Sequence, residues 1–138
     1  MYKFSKNSLT KLERLHPQLK KFFHELIKVS PYDFSITHGV RTAEEQNKLY
    51  KQGRTEPGNI VTNCDGYIVK SNHQVKSDNL GYAGDIAILV NNKIMWEEKY
   101  YKELANSARS LMEKYNIEWG GDWKNFKDLP HYEYRGGR

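Results

Sequence analysis

Two histidines and two aspartates carry the most chemical information in this 138-residue chain: His73, Asp85, Asp128 and His131. Two imidazoles and one carboxylate form a ligand set that suits Zn²⁺. Three protein ligands leave a fourth position for water, the layout of a catalytic rather than a structural zinc site. Asp128, three positions before His131, is placed to accept a proton from that water. The local contexts are Ser71-Asn72-His73, Gly81-Tyr82-Ala83-Gly84-Asp85 and Asp128-Leu129-Pro130-His131. A carboxylate opening a buried strand and a histidine at the edge of another can point to one centre.

Three further residues are candidates. Arg41 supplies a permanent planar cation for a carboxylate or a developing oxyanion; a salt bridge to Glu44 or Glu45 is the plain alternative. Gln46 lies one helical turn from Thr42 and offers an amide contact, or is an ordinary solvated helix residue. Ser71 offers a hydrogen bond within a cleft, or stabilises its loop. His38 is a cleft candidate beside Gly39 and Arg41, whereas His16 and His24 read as surface or core residues. His24-Glu25-Leu26-Ile27-Lys28 falls one residue short of the helical zinc motif, because Lys28 stands where the second histidine is needed. Asp122 and Asn125 are too sparse for a calcium loop.

These side chains need a scaffold. Ser8 to Val29 reads as helix broken at Pro17, with Leu19, Phe22, Phe23, Leu26 and Ile27 on one face. Asp33 to Thr37 alternates as a strand. Thr42 and Glu45 form a capping box that opens a helix ending at Gly53. Residues 54 to 66 are rich in turn formers, and Tyr67 to Val69 suggests a short strand. Asp85 to Val90 is the strongest strand, and Asn91-Asn92 turns it into Lys93 to Trp96. Glu97 to Tyr115 carries a continuous apolar stripe through Tyr101, Leu104, Ala105, Ala108, Leu111, Met112 and Tyr115. Short strands are expected at Ile117 to Trp119 and His131 to Tyr134. The expected fold is α+β: one domain over residues 1–138, a small antiparallel sheet flanked by helices, and the zinc site in a cleft at the sheet.

Composition narrows the function classes. One cysteine, Cys64, rules out an intrachain disulfide and fits a reducing compartment. No signal peptide or apolar span is recognisable, so synthesis in the cytoplasm without membrane insertion is expected. A net charge of +5 favours an anionic partner, but the lysines are scattered, and neither a basic stripe nor an aromatic RNA motif argues for nucleic acid.

The set His73, Asp85 and Asp128-x-x-His131, the last within Trp119-Gly120-Gly121-Asp122-Trp123-Lys124-Asn125-Phe126-Lys127-Asp128-Leu129-Pro130-His131, resembles the zinc D-Ala-D-Ala carboxypeptidase and L-alanyl-D-glutamate endopeptidase family. Its single-domain phage endolysins are the nearest in pattern. Ser30-Pro31-Tyr32-Asp33-Phe34, Gly39-Val40-Arg41-Thr42 and Gln46 also match, so the resemblance spans nearly the whole chain. It implies that His73, Asp85 and His131 bind Zn²⁺, that Asp128 is the catalytic base, and that Arg41, Gln46 and Ser71 line the substrate site.

One departure stands out. The family keeps its first histidine and its aspartate closer together than His73 and Asp85, and Gln74 to Asn79 is an extra loop. That makes Asp78 a local rival, although the run into a strand favours Asp85.

The implied activity is peptidoglycan endopeptidase cleavage of the L-Ala–D-Glu bond in the stem peptide. The enzyme would be a monomer made in the host cytoplasm, acting on the periplasmic wall after release by another factor. The alternatives are a D-Ala-D-Ala carboxypeptidase or dipeptidase using the same site, and a non-catalytic zinc-containing wall-binding module. A thiol hydrolase built on Cys64 is disfavoured, because the adjacent Asp65 would raise the thiol pKa. We therefore expect hydrolysis of purified cell wall to vanish with a zinc chelator and to persist in Cys64→Ser; the reverse pattern in a turbidity assay would point to the thiol.

Overall fold

A computed structural model describes residues 1–136. Two short helices, α1 (Lys6–Leu12) and α2 (Pro17–Val29), precede strand β1 (Asp33–His38) and helix α3 (Ala43–Lys51). After a long irregular stretch come β2 (Ala83–Val90), β3 (Lys93–Met95), α4 (Glu98–Ser107), α5 (Arg109–Tyr115), β4 (Ile117–Trp119), a 3₁₀ turn at Gly120–Asp122 and β5 (His131–Tyr134). The sheet runs β1-β2-β5-β4 with antiparallel pairing, and β3 pairs with the far end of β2. The expected α+β class, with a small antiparallel sheet and flanking helices, is what forms.

Strand β2 shows why the two faces differ. Ile86 and Ile88 are fully buried in the core with Phe22, Phe23 and Leu26 of α2, and Tyr101, Leu104 and Ala105 of α4 join the same cluster. A Cβ on Gly84 would stand 2.9 Å from the Phe23 ring, which puts Gly84 on this helix-packed face. Alternation then sends Asp85 to the opposite face, which no helix of the core layer covers. Directly across from Asp85 stand His38 on β1 and His131 on β5, so three adjacent strands place polar side chains in one row.

The element boundaries hold closely, with two exceptions. Tyr67 to Val69 is not a strand, because one Asp65 oxygen accepts from the backbone N–H groups of Tyr67, Ile68 and Val69 at 2.9–3.0 Å. Those amides are spent on a local turn and none is left for a ladder. The helix expected over Glu97 to Tyr115 divides at Ala108, whose ψ is −1° and whose N–H is shared between Leu104 O and Ala105 O. Ser107 Oγ also takes the Leu104 carbonyl at 2.6 Å, a competition that tightens helix ends. The apolar stripe continues through the break, with Ala105, Ala108 and Met112 buried. Asn91 and Asn92 make the expected hairpin with φ of 52° and 63°, as a type I′ turn requires.

Strand β1 lies at the sheet edge, and α1 covers it. Ser8 is 1% exposed, and its hydroxyl accepts from the Ile36 backbone N–H at 3.0 Å. Ser8→Ala would leave that buried donor without its partner, a loss of about 1–3 kcal/mol. The expected result is a lower denaturation midpoint with hydrolytic activity retained in the folded protein.

Candidate metal and catalytic site

Each of the three inward-facing side chains is placed by a different local device. Asp85 sits on the central strand β2, and His131 is its cross-strand partner on β5. His73 lies on the irregular stretch after α3, tied back through its carbonyl, which accepts from Arg41 N at 2.7 Å. His131 Nδ1 is 3.0 Å from Asp85 Oδ1, His73 Nε2 is 3.2 Å from the same oxygen, and the two ring nitrogens are 3.2 Å apart. A tetrahedral ion with bonds of the usual Zn–N and Zn–O length holds its ligand atoms about 3.3 Å apart.

The outward sides of both rings are occupied by acceptors. His73 Nδ1 donates to the Gly39 carbonyl at 2.9 Å, and His131 Nε2 donates to Glu133 Oε1 at 2.7 Å. In the neutral imidazoles both protons therefore sit outward. Two nitrogen lone pairs and a carboxylate oxygen then converge on one point, which a divalent cation resolves. These three residues form a group able to hold a metal ion, with all three ligand atoms within 4.8 Å of one another. Burial alone would raise the Asp85 carboxyl, but His73 and His131 together outweigh it and hold the group well below the usual carboxylate range. Asp78, the local rival, is turned away: it accepts from Tyr82 Oη at 2.6 Å and Leu80 N at 3.0 Å.

Asp128 stands beside this cluster. Its Oδ2 is 3.8 Å from His131 Nδ1, and the side chain is 48% exposed, so it is open to the cleft. Partial burial and the negative Asp85 raise its pKa, against the pull of His131, His73 and Arg41. The backbone around it is fixed by Gly120: Asp128 N donates to Gly120 O at 3.1 Å, and a Cβ on Gly120 would lie 2.3 Å from Asp128 O. Only glycine tolerates that approach. Trp119 Nε1 donates to Leu129 O at 2.7 Å, which pins the same turn from the core side.

Arg41 and Ser71 lie on the wall of a cleft of about 960 Å³, together with His38, Trp123 and Asp128. Arg41 is 3.7 Å from Asp85 Oδ2 and donates to Gln46 Oε1 at 2.7 Å. Gln46 itself is fully buried and off the cleft wall. Its amide also donates to Thr62 Oγ1 at 3.2 Å and to the Cys64 carbonyl at 3.0 Å, so it reaches the cleft through Arg41 rather than by direct contact. Ser71 Oγ accepts from His73 N at 3.2 Å. The tryptophans separate: Trp119 is core, and Trp123 stacks obliquely on His131 with ring centroids 5.0 Å apart. His16 caps α2 through Nδ1, and His24 packs against Phe4; neither approaches the site. Asp122 is engaged by Arg109.

Two features were not singled out from the sequence. Glu133 follows His131 by two on a strand, and period-two alternation was the signal that both share a face. The apolar rim of Ile60, Val61 and Phe126 carries no such signal, since it comes from loops.

The sequence profile of the phage L-alanyl-D-glutamate peptidase family matches residues 1–136. The chain belongs to that family. It is 39% identical over 132 residues to the peptidoglycan L-alanyl-D-glutamate endopeptidase CwlK of Bacillus subtilis, covering 86% of this chain and 72% of that protein. It is 26% identical over 146 aligned positions to the L-alanyl-D-glutamate peptidase of Escherichia phage T5, covering 99% of this chain and 95% of that one. The crystal structure of the Serratia marcescens L-Ala D-Glu endopeptidase ChiX superposes with a TM-score of 0.74 at 25% identity, over 96% of this chain and 89% of that one.

If Asp85 completes the ligand set and Asp78 serves only the inserted loop, Asp85→Ala should abolish stoichiometric metal uptake while Asp78→Ala keeps it. Elemental analysis of the two purified variants checks this.

Proposed function

We propose that this chain is a zinc-dependent peptidoglycan endopeptidase that hydrolyses the L-Ala–D-Glu bond of the stem peptide. The observation that carries the reading is the convergence of His73 Nε2, His131 Nδ1 and Asp85 Oδ1, with Asp128 open to the cleft beside them. His73, Asp85 and His131 would hold the metal. When bound, Zn²⁺ lowers the pKa of its water to about 7 and polarises the scissile carbonyl.

The chain's own residues do the rest. Asp128 takes the proton of the attacking water and returns it to the leaving amine, so one carboxylate serves as base and then acid. Arg41 meets a substrate carboxylate or the negative charge that develops on the carbonyl oxygen. Burial lowers the Arg41 pKa, yet Asp85, Glu45 and Asp128 around it favour the charged form. Gln46 positions Arg41, and Ser71 orders the backbone that presents His73.

The substrate is cell-wall peptide, and a net charge of +5 favours an anionic envelope. Among the described residues no helix is long and apolar enough to cross a membrane. We take the unit to be a single 1–138 domain acting as a monomer, made in the host cytoplasm and delivered to the wall by a separate release factor.

Asp128→Ala tests the mechanism. Wall hydrolysis should fall by about 10²–10⁴-fold while one zinc per chain stays bound. Undiminished turnover would remove Asp128 from the reaction. Digestion of purified wall by the parent enzyme should expose new free amines on Glu; released D-Ala would move the scissile bond to the peptide terminus.

A further inference from the structure

Behind His131 runs a polar chain that is buried at Glu133 and half-buried at Asn72 and Lys76. Glu133 is 2% exposed, and one of its oxygens accepts the Nε2–H of His131 at 2.7 Å. Its other oxygen accepts from Asn72 Nδ2 at 2.8 Å. Asn72 Oδ1 in turn accepts from Lys76 Nζ at 3.1 Å. Every link is at full hydrogen-bond distance, and the series ends on an ammonium.

The placement of this chain is informative. Asn72 immediately precedes His73, so the series ties the segment carrying one histidine to the strand carrying the other. Lys76 belongs to the inserted loop of Gln74 to Asn79. Ser77 to Asn79 face solvent, but the base of that loop is anchored: Lys76 N donates to Leu80 O, Lys76 Nζ stands 5.0 Å from the Tyr82 ring centroid, and Asn79 Oδ1 accepts from Arg14. Asn72 O is held by Tyr82 N at 2.9 Å. Behind His73, by contrast, stands a backbone carbonyl, that of Gly39, 2.9 Å from Nδ1.

We propose that Glu133 is a positioning residue for His131, and that Asn72 and Lys76 brace it, so that the inserted loop forms part of the outer support of the metal site. This rests on the zinc reading above. A carboxylate behind a ligating imidazole fixes its tautomer and ring orientation and makes the inward nitrogen a better donor. The bracing from Asn72 and Lys76 keeps the carboxylate aimed at Nε2.

Zinc affinity of the metal-free protein, measured by competition with a chromophoric chelator, reads this directly, with the thermal midpoint of the metal-free form recorded alongside. Glu133→Ala should weaken zinc binding about 10–100-fold. Glu133→Gln keeps the volume and an acceptor but not the charge, and should lose about three- to tenfold. Lys76→Met, at the outer end of the chain, should lose about two- to fivefold with an unchanged midpoint. Glu133→Gln and Lys76→Met both holding zinc within about twofold of the parent would overturn the proposal, even if Glu133→Ala does not fold. A lowered midpoint with parental zinc affinity would assign Glu133 to packing alone. A parent protein that takes up no zinc would sink the hydrolase reading instead, and the two failures are thereby distinct.

Discussion

Three candidate ligand atoms, His73 Nε2, His131 Nδ1 and Asp85 Oδ1, meet at 3.0–3.2 Å from one another, and that convergence is the constraint around which this molecule is organised. Such a cluster suits a cation, and the surroundings hold its members in place. Each imidazole is fastened from behind by an acceptor, and Asp85 sits on the central strand between two neighbours. The folded chain thus presents a group able to hold a metal ion, and the outward hydrogen bonds fix the orientation of its two imidazoles.

The sheet makes this arrangement affordable. One face is packed by α2, α4 and α5 over Ile86, Ile88, Tyr132 and their neighbours, so the core is complete without the other face. The second face is then free for polar side chains that would be intolerable in the core. β2 serves both sides at once: its even-numbered residues pack against the helices, and Asp85 reaches the cleft. The cost falls on backbone geometry at the margins, as at Gly120, where Asp128 is carried on a turn pressed against the preceding strand.

Much of this was legible in the residues, and for identifiable reasons. Helical stripes and strand alternation are local, so α2, β1, β2 and the final strands fell where periodicity put them. The candidate ligands were legible because each stands in a distinctive context and because the pattern resembles a known peptidase family. What escaped was non-local. Whether Asp78 or Asp85 joined the two histidines depended on how the inserted loop folded, and that was decided by contacts to Arg14, Asn72 and Tyr82. Gln46 was legible as a helix residue one turn from Thr42 that either offers an amide contact or is solvated; which of the two holds was set by a loop sixteen to eighteen residues on. Tyr67 to Val69 has strand-like composition, but Asp65 claimed its amides first.

The stretch between α3 and His73 is held by another kind of bond from the rest. Apart from one isolated bridge between Gln52 and Glu56, it is fastened by side chains: Gln46 donates to the Cys64 carbonyl, Asn47 to that of Asp65 and Arg54 to that of Thr62. The apparatus that breaks the amide rests on the sheet, while much of the wall that greets the substrate hangs from a few amide and guanidinium hooks. The two are therefore mechanically separable: the loop can be rebuilt without moving the strands that carry Asp85 and His131.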